Sequence, residues 1–125
     1  MSRFLLHEVG IVPKEQFIVD NTPEEFEAAV RADLAAASDK REIPVTFDAD
    51  AGNCQRLLRQ VEHPGRGLVI GSGWDKELAK ELKCDFLPAA APCPYRLVLT
   101  TNYAGFSGGL RLIEDIYDVV LSTYA

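Results

Sequence analysis

The chain has three cysteines, Cys54, Cys84 and Cys93, and no CxxC spacing among them, so it lacks both the even count of a disulfide framework and the paired thiols of a zinc knuckle. Reduced, mostly structural thiols are expected. Long apolar runs are missing too. None approaches the roughly 20 residues that a membrane-spanning helix needs, and Met1 to Gly10 lacks the cationic, apolar and small-residue layout of a secretory signal. A cytoplasmic location is the expectation. Basic charge is in deficit: 13 Lys and Arg stand against 19 Asp and Glu, a formal net charge of −6. That speaks against a nucleic-acid or anionic-membrane partner, because both need a basic stripe to neutralise phosphate. Repeats and low-complexity stretches are absent as well. What is present is 125 residues, 47% of them apolar and 26% charged. This suffices for one domain over residues 1–125 that buries roughly two-thirds of its unfolded surface.

The segments alternate as β-α-β-α-β-α. Phe4 to Val9 reads as a short helical turn closed by Gly10, a residue that tolerates the left-handed conformation. It has no N-cap signal before it, so the natural helix is expected to begin upstream of Met1 and the chain to be a piece of something longer. Gln16 to Val19 is a strand ending at the turn formers Asp20-Asn21. Thr22-Pro23-Glu24-Glu25 offers a capping hydroxyl, a proline at the first helical position and an acid three residues after the cap. The helix that follows carries Phe26, Val30, Leu34 and Ala37 on one face. Ile43 to Phe47 supplies a second strand, and Asp48 or Asp50 can cap a helix bearing Cys54, Leu57, Leu58 and Val61. Gly67 to Ile70 is a third strand, followed by Gly71-Ser72-Gly73 and a helix through Leu78, Ala79 and Leu82, with Ser72 and Asp75 as a weaker capping box. Asp85 to Leu87 is a short fourth strand. Pro88, Pro92 and Pro94 then predict a loop, and Phe106, Leu110, Ile113, Tyr117, Val120 or Leu121, and Tyr124 mark the last helix, whose apolar stripe is expected to pack along a sheet or a neighbouring helix. Strands joined by helical crossovers favour an α/β fold: a single Rossmann-like domain with about four parallel strands and helices on both faces.

Gly71-Ser72-Gly73 lies where such a fold places phosphate loops, after a strand and before a helix N-terminus. The third glycine of GxGxxG is missing, since residue 76 is Lys, and no acidic residue ends the next strand to hold a ribose. A tight structural turn is the preferred reading over a cofactor-binding loop. Trp74 and Arg96 could line a pocket at the carboxyl edge of the sheet, or simply pack and pair. Cys54, on an apolar helix face, reads as a small core residue rather than a metal ligand. Cys93, in the proline loop, reads as the more exposed thiol, and His63 as a cation at a helix end. No metal ligand set emerges from the spacing of the cysteines with His7 and His63. Neither GxSxG nor a Cys with a His and an acid can be assembled, so no catalytic residue is assigned. Glu114 and Asp115 diverge by about 100° on their helix and read as a solvated face or a partner contact.

The run Pro94-Tyr95-Arg96-Leu97-Val98-Leu99-Thr100-Thr101-Asn102-Tyr103-Ala104-Gly105-Phe106-Ser107-Gly108-Gly109-Leu110-Arg111-Leu112-Ile113-Glu114-Asp115-Ile116-Tyr117 resembles the C-terminal signature of nitrogenase component 1 subunits. β-Like members carry a proline, a short spacer, an Arg, then a Gly-aromatic-x-Gly-Gly-Leu helix start. Phe4 to Gly10 resembles the family's helix end before its last domain. Gly71-Ser72 with Glu77 to Leu82 resembles its strand-loop-helix before the final strand. The resemblance implies the C-terminal domain of a three-domain subunit of a component 1-type oxidoreductase, such as a molybdenum-iron protein β-like subunit or a cofactor-assembly homologue. In that family αβ pairs hold iron-sulfur clusters between domains and take electrons from an ATP-driven iron protein. Nitrogen fixation, tetrapyrrole reduction and cofactor assembly are the family's outcomes. The cluster cysteines of β-like subunits belong to earlier domains. The catalytic subunit's C-terminal cofactor histidine would fall near Tyr95, where this sequence has none. The resemblance therefore implies no catalytic or metal residue here and no cofactor in the isolated chain, with iron-sulfur clusters confined to the full-length family. The expected partners are the remaining domains of its own subunit, a homologous subunit and the iron protein reductase. Gly105, Gly108 and Gly109 leave a helix start open to close backbone approach, for which domain packing is preferred over an anion. The alternative is a free-standing α/β module that binds an anionic metabolite or nucleotide at Gly71 to Gly73.

Overall fold

The computed structural model describes residues 1–38, 41–94 and 102–122. They form a mixed α/β fold in two compact units, Met1–Glu62 and His63–Ala125. The four expected strands are present, and both pairings are parallel.

In the first unit, α1 (Ser2–Phe4) widens into a π-helical turn, Leu5–Val9, and ends at Gly10 in the left-handed conformation, φ 80°. The Ile11 N–H reaches back to the Leu5 carbonyl at 2.9 Å, so the glycine stop acts as the sequence indicates. Strand β1 (Gln16–Ile18) pairs with β2 (Val45–Phe47), with Phe17 opposite Thr46. Between them runs α2 (Glu24–Ala37). Its expected cap at Thr22 is not made: Pro23 has an extended ψ of 138° and is itself the cap, and no side chain bonds to the helix start. Glu24, Glu25 and Glu27 in the first turn place negative charge beside the unpaired N–H groups instead. Phe26 is also displaced from the expected face, being 54% exposed, while Val30, Leu34 and Ala37 are half-buried. Strand β2 is braced by Arg31, whose guanidinium donates to the Val45 carbonyl at 2.7 Å and lies 4.7 Å from the Phe47 ring centre.

Helix α3 (Ala51–Leu58) is capped by Asp50, which accepts from the N–H groups of Gly52 at 2.9 Å and Asn53 at 3.3 Å. Asp48 buttresses that cap, taking the Asp50 N–H at 2.8 Å and the Asn53 side-chain amide. The two candidate caps thus divide the work.

The second unit is built on β3 (Leu68–Ser72) and β4 (Asp85–Ala90), joined by a 3-10 turn, Gly73–Asp75, and α4 (Lys76–Glu81). Strand β4 runs beyond Leu87 and takes in Pro88, against the expectation of a loop. The ladder shows why: Gly71 pairs with Pro88 but Ser72 pairs with Ala90, so Ala89 is skipped. A bulge is where a strand tolerates a residue without an N–H. Helix α5 (Gly105–Ser122) closes the unit. Its core comprises Leu78, Ala79, Leu87, Leu112 and Ile116, each 3% exposed or less. Each of the larger apolar side chains contributes about 2 kcal/mol of burial.

The start of α5 rests on its glycines. Gly105 adopts φ 68°, and a Cβ at Gly108 would collide with the carbonyl carbon of Tyr103 and lie 2.8 Å from its Cα. The close approach is therefore by the chain's own incoming segment, which is packing, as preferred from the sequence. Tyr103 then donates its hydroxyl to Asp115 at 2.6 Å. Asp115 is 4% exposed and also bonds Arg111 at 3.0 Å. This corrects the solvated-face reading of Asp115, while Glu114 remains exposed.

Gly108→Ala should lower stability by about 1–3 kcal/mol because backbone, rather than a yielding side chain, meets the new methyl. Gly65→Ala, with nothing within 4 Å of its Cβ position, is the control and should be near neutral in the same urea titration. Asp48 is held below the ordinary carboxylate range, first by the Asn53 amide and then by the Asp50 N–H. Any stability it lends is therefore present above the unfolded-state value and lost as pH falls through the depressed folded one. Asn53→Ala should move the Asp48 carboxyl resonance back towards an ordinary titration midpoint in NMR.

Candidate functional site

The loop that the sequence singles out, Gly71 to Gly73, follows β3 and opens the 3-10 turn, as a phosphate loop would. Its backbone donors are already engaged. Ser72 N–H bonds the Asp75 carboxylate at 2.9 Å, Gly73 N–H bonds the Pro92 carbonyl at 2.6 Å, and Trp74 N–H bonds the Ser72 hydroxyl at 3.3 Å. The capping box is complete, stronger than the sequence suggests. Asp75 brings its own carboxylate to the place where an anion would sit, close against Gly71. A Cβ at Gly73 would lie 2.6 Å from Pro94 Cδ, so this glycine admits the proline segment rather than a ligand. Trp74 is 72% exposed. Arg96 and Tyr95 lie outside the described residues, as does Tyr124.

The cysteines are placed by separate environments. Cys54 is 6% exposed, and its thiol points at the Asp48 carbonyl at 3.6 Å, which agrees with a core role. Cys93 is half-buried, as Cys84 is, with its thiol 3.8 Å from the Pro88 carbonyl. His63 lies beyond the end of α3 at Leu58, so the helix dipole does not account for it. Its Nε2 is 3.5 Å from Cys84 Sγ, a pairing that sequence reasoning missed because 21 residues separate the two.

An iron-sulfur cluster takes thiolates from several converging cysteines. Among the described residues no three of His, Cys, Asp and Glu gather to hold a metal ion. These residues do not fit such a group, and no step is assigned to one. In the first unit a shallow cleft of about 580 Å³ is lined by Arg31, Ser38, Arg41 and Glu42 among others. The Ser38 hydroxyl there is engaged by the carbonyls of Ala35 and Arg41, at 2.7 and 2.8 Å. Among the described residues no helix is long and apolar enough to cross a membrane.

Opposite faces of α5 differ in a way the fold does not require. Leu112, Asp115 and Ile116 are buried, whereas Phe106 is 99%, Leu110 65%, Tyr117 52% and Leu121 60% exposed. Steps of four, seven and four residues put these exposed side chains on one stripe, the one expected from the sequence to pack; the face that packs instead carries Leu112, Asp115 and Ile116.

The model of the family described as nitrogenase component 1 type oxidoreductase matches residues 1–121. A solved chain described as "Nitrogenase Cp1 at pH 6.5" superposes with a TM-score of 0.75 at 25% sequence identity, over 98% of this chain and 26% of that one. The chain thus spans about a quarter of the length of that relative. Compared by sequence with curated proteins, it finds no match.

If the Gly71 to Gly73 donors are engaged as described, millimolar inorganic phosphate or ATP should leave the Ser72, Gly73 and Trp74 amide resonances in place. Saturable movement of these three would refute the turn reading.

Proposed function

The chain belongs to the nitrogenase component 1 type oxidoreductase family, and from that premise we propose that it serves as a scaffold and partner-contact domain of a component 1-like subunit. Its place is that of the C-terminal domain, in a β-like subunit or an assembly homologue, and iron-sulfur-dependent chemistry is carried by other domains of the assembly. The observation that carries this reading is the exposed stripe Phe106, Leu110, Tyr117 and Leu121. Together these side chains offer on the order of a few hundred Å² of apolar surface, comparable with the largest patch of a typical monomer, which is often functional. The occupant is the remainder of a component 1-type subunit, because the matched relative has about three-quarters of its chain outside the region shared with this one. One further point supports the reading: the loop that the alternative would use for an anionic metabolite has the Ser72, Gly73 and Trp74 N–H groups occupied.

Phe106→Glu with Leu110→Glu tests the stripe, since both side chains already face water and the fold should survive, as judged by circular dichroism and thermal melting. The wild-type chain should co-purify with the component 1-type polypeptides of its own source when coexpressed, and the double variant should not. Equal retention of both chains would sink the proposal. So would stoichiometric iron and unaided reductive turnover by the isolated chain after anaerobic purification.

A further inference from the structure

Cys84 directly follows Lys83, a non-glycine residue in the left-handed conformation at φ 56°. That turn ends α4 with the Cys84 N–H on the Ala79 carbonyl at 2.8 Å and the Lys83 N–H on the Lys80 carbonyl at 3.1 Å. It delivers the thiol to the start of β4, where Sγ lies 3.5 Å from His63 Nε2 and 3.6 Å from the Leu82 carbonyl. The far side of the ring determines the tautomer. His63 Nδ1 is 2.9 Å from the Gly65 carbonyl, which can only accept, so Nδ1 carries the proton and Nε2 offers its lone pair to the thiol. Both side chains meet over Gly67, where a Cβ would come within 2.5 Å of Sγ and 3.2 Å of the ring. Only glycine allows this contact.

A thiol, a base and a group that orients the base make up the arrangement by which cysteine nucleophiles are activated. We propose that Cys84, paired with His63 over Gly67, is a thiol-exchange site that takes up low-molecular-weight disulfides of the glutathione type. The Cys84 proton passes to His63 Nε2 as Sγ attacks one sulfur of the disulfide. A bond forms between Sγ and that sulfur while the original S–S bond breaks. The leaving thiolate takes the proton from His63, so Cys84 ends oxidised to a mixed disulfide and one small thiol is released. Burial, and then the Asp85 charge, push the Cys84 thiol up, so it does not ionise readily unaided. A thiol raised in this way loses more in thiolate fraction than each thiolate gains in nucleophilicity, so the exchange depends on His63 as the base. A metal is the poorer occupant, since no third ligand joins the pair among the described residues. The site is independent of the scaffold reading and survives its failure.

The full chain is incubated with oxidised glutathione at neutral pH and its three cysteines are followed by peptide mass spectrometry. Cys84 should be the first modified, and Cys93→Ser should leave its rate unchanged. His63→Asn keeps a donor for the Gly65 carbonyl and removes the base, so it should slow Cys84 about tenfold or more. Gly67→Ala, which retains both partners but forces them apart, should slow it too. In concentrated guanidinium all variants should react alike, which separates the pairing from intrinsic thiol chemistry. Modification of Cys93 ahead of Cys84 would overturn the proposal. A folded His63→Asn chain within twofold of wild type would also do so. Should His63→Asn fail to fold, a folded Gly67→Ala chain reacting as wild type is decisive against it.

Discussion

Burying a carboxylate costs several kcal/mol unless a cation accompanies it, and the second unit is arranged around one such carboxylate. The Asp85 side chain, 7% exposed, is held in a two-pronged pair by Arg66, whose Nε and Nη2 take one carboxylate oxygen each. The same Nη2 donates to the Val120 carbonyl at 2.9 Å, in the last turn of α5. One guanidinium therefore ties the approach to β3, the first residue of β4 and the end of α5 together. With Asp85 also bonded through its N–H to the Gly67 carbonyl, the register of β3 against β4 and the seating of α5 depend on one another. A lysine could not replace this arrangement, because a point charge cannot grip both oxygens and a carbonyl at fixed angles.

The units differ in how well they satisfy themselves. The second has a contiguous set of nearly inaccessible apolar side chains, whereas in the first only Leu5 and Cys54 are buried apolar residues among those described. Both of its strands are half-buried throughout, and α2 has no fully buried residue. Glu15 shows the strain of this: one carboxylate oxygen is shut from water without a hydrogen-bond partner, and burial pushes its pKa up. Such a carboxylate opposes folding increasingly as pH rises through its unfolded value, since the charged form is the one that burial penalises. A unit with so thin an interior gains more from neighbouring protein than it can supply alone, which accords with a domain that works within a larger assembly.

Local chemistry was legible from the sequence and distant chemistry was not. The stop at Gly10, the caps at Asp50 and Ser72, the two βαβ alternations and the existence of α5 all follow from residues within a few positions of one another, but the stripe of α5 expected to pack is the exposed one, and Leu112, Asp115 and Ile116 are buried in its place. Where local reading failed, a tertiary contact prevailed. Pro88 sits in a strand opposite Gly71, next to the point where the ladder skips Ala89, and Asp115 is buried with Tyr103 and Arg111 as its partners. Cys84 and His63 have no sequence pattern to announce them. Gly67, whose missing side chain permits the pair, looks like any glycine at the edge of a strand. Most of the resemblance that points to the family falls on the segment ending in α5, and the part of it before residue 102 lies largely outside the described residues.

The glycine-rich start of α5 can be understood without any ligand. Gly105 turns the incoming chain through the left-handed region, and Gly108 lets the Tyr103 backbone lie against the first turn. The Tyr103 hydroxyl then locks onto Asp115 on the buried face. Phe106, between the two glycines, is left pointing to the opposite side with 99% of its surface exposed. An aromatic residue so placed adds little burial to the fold. The two glycines pin the helix start from behind, which fixes the direction of Phe106 and of the stripe that continues through Leu110, Tyr117 and Leu121. The glycines and the aromatic residue thus act together: the close backbone approach on the inner face sets the helix start, and with it the direction in which Phe106 leaves the outer face.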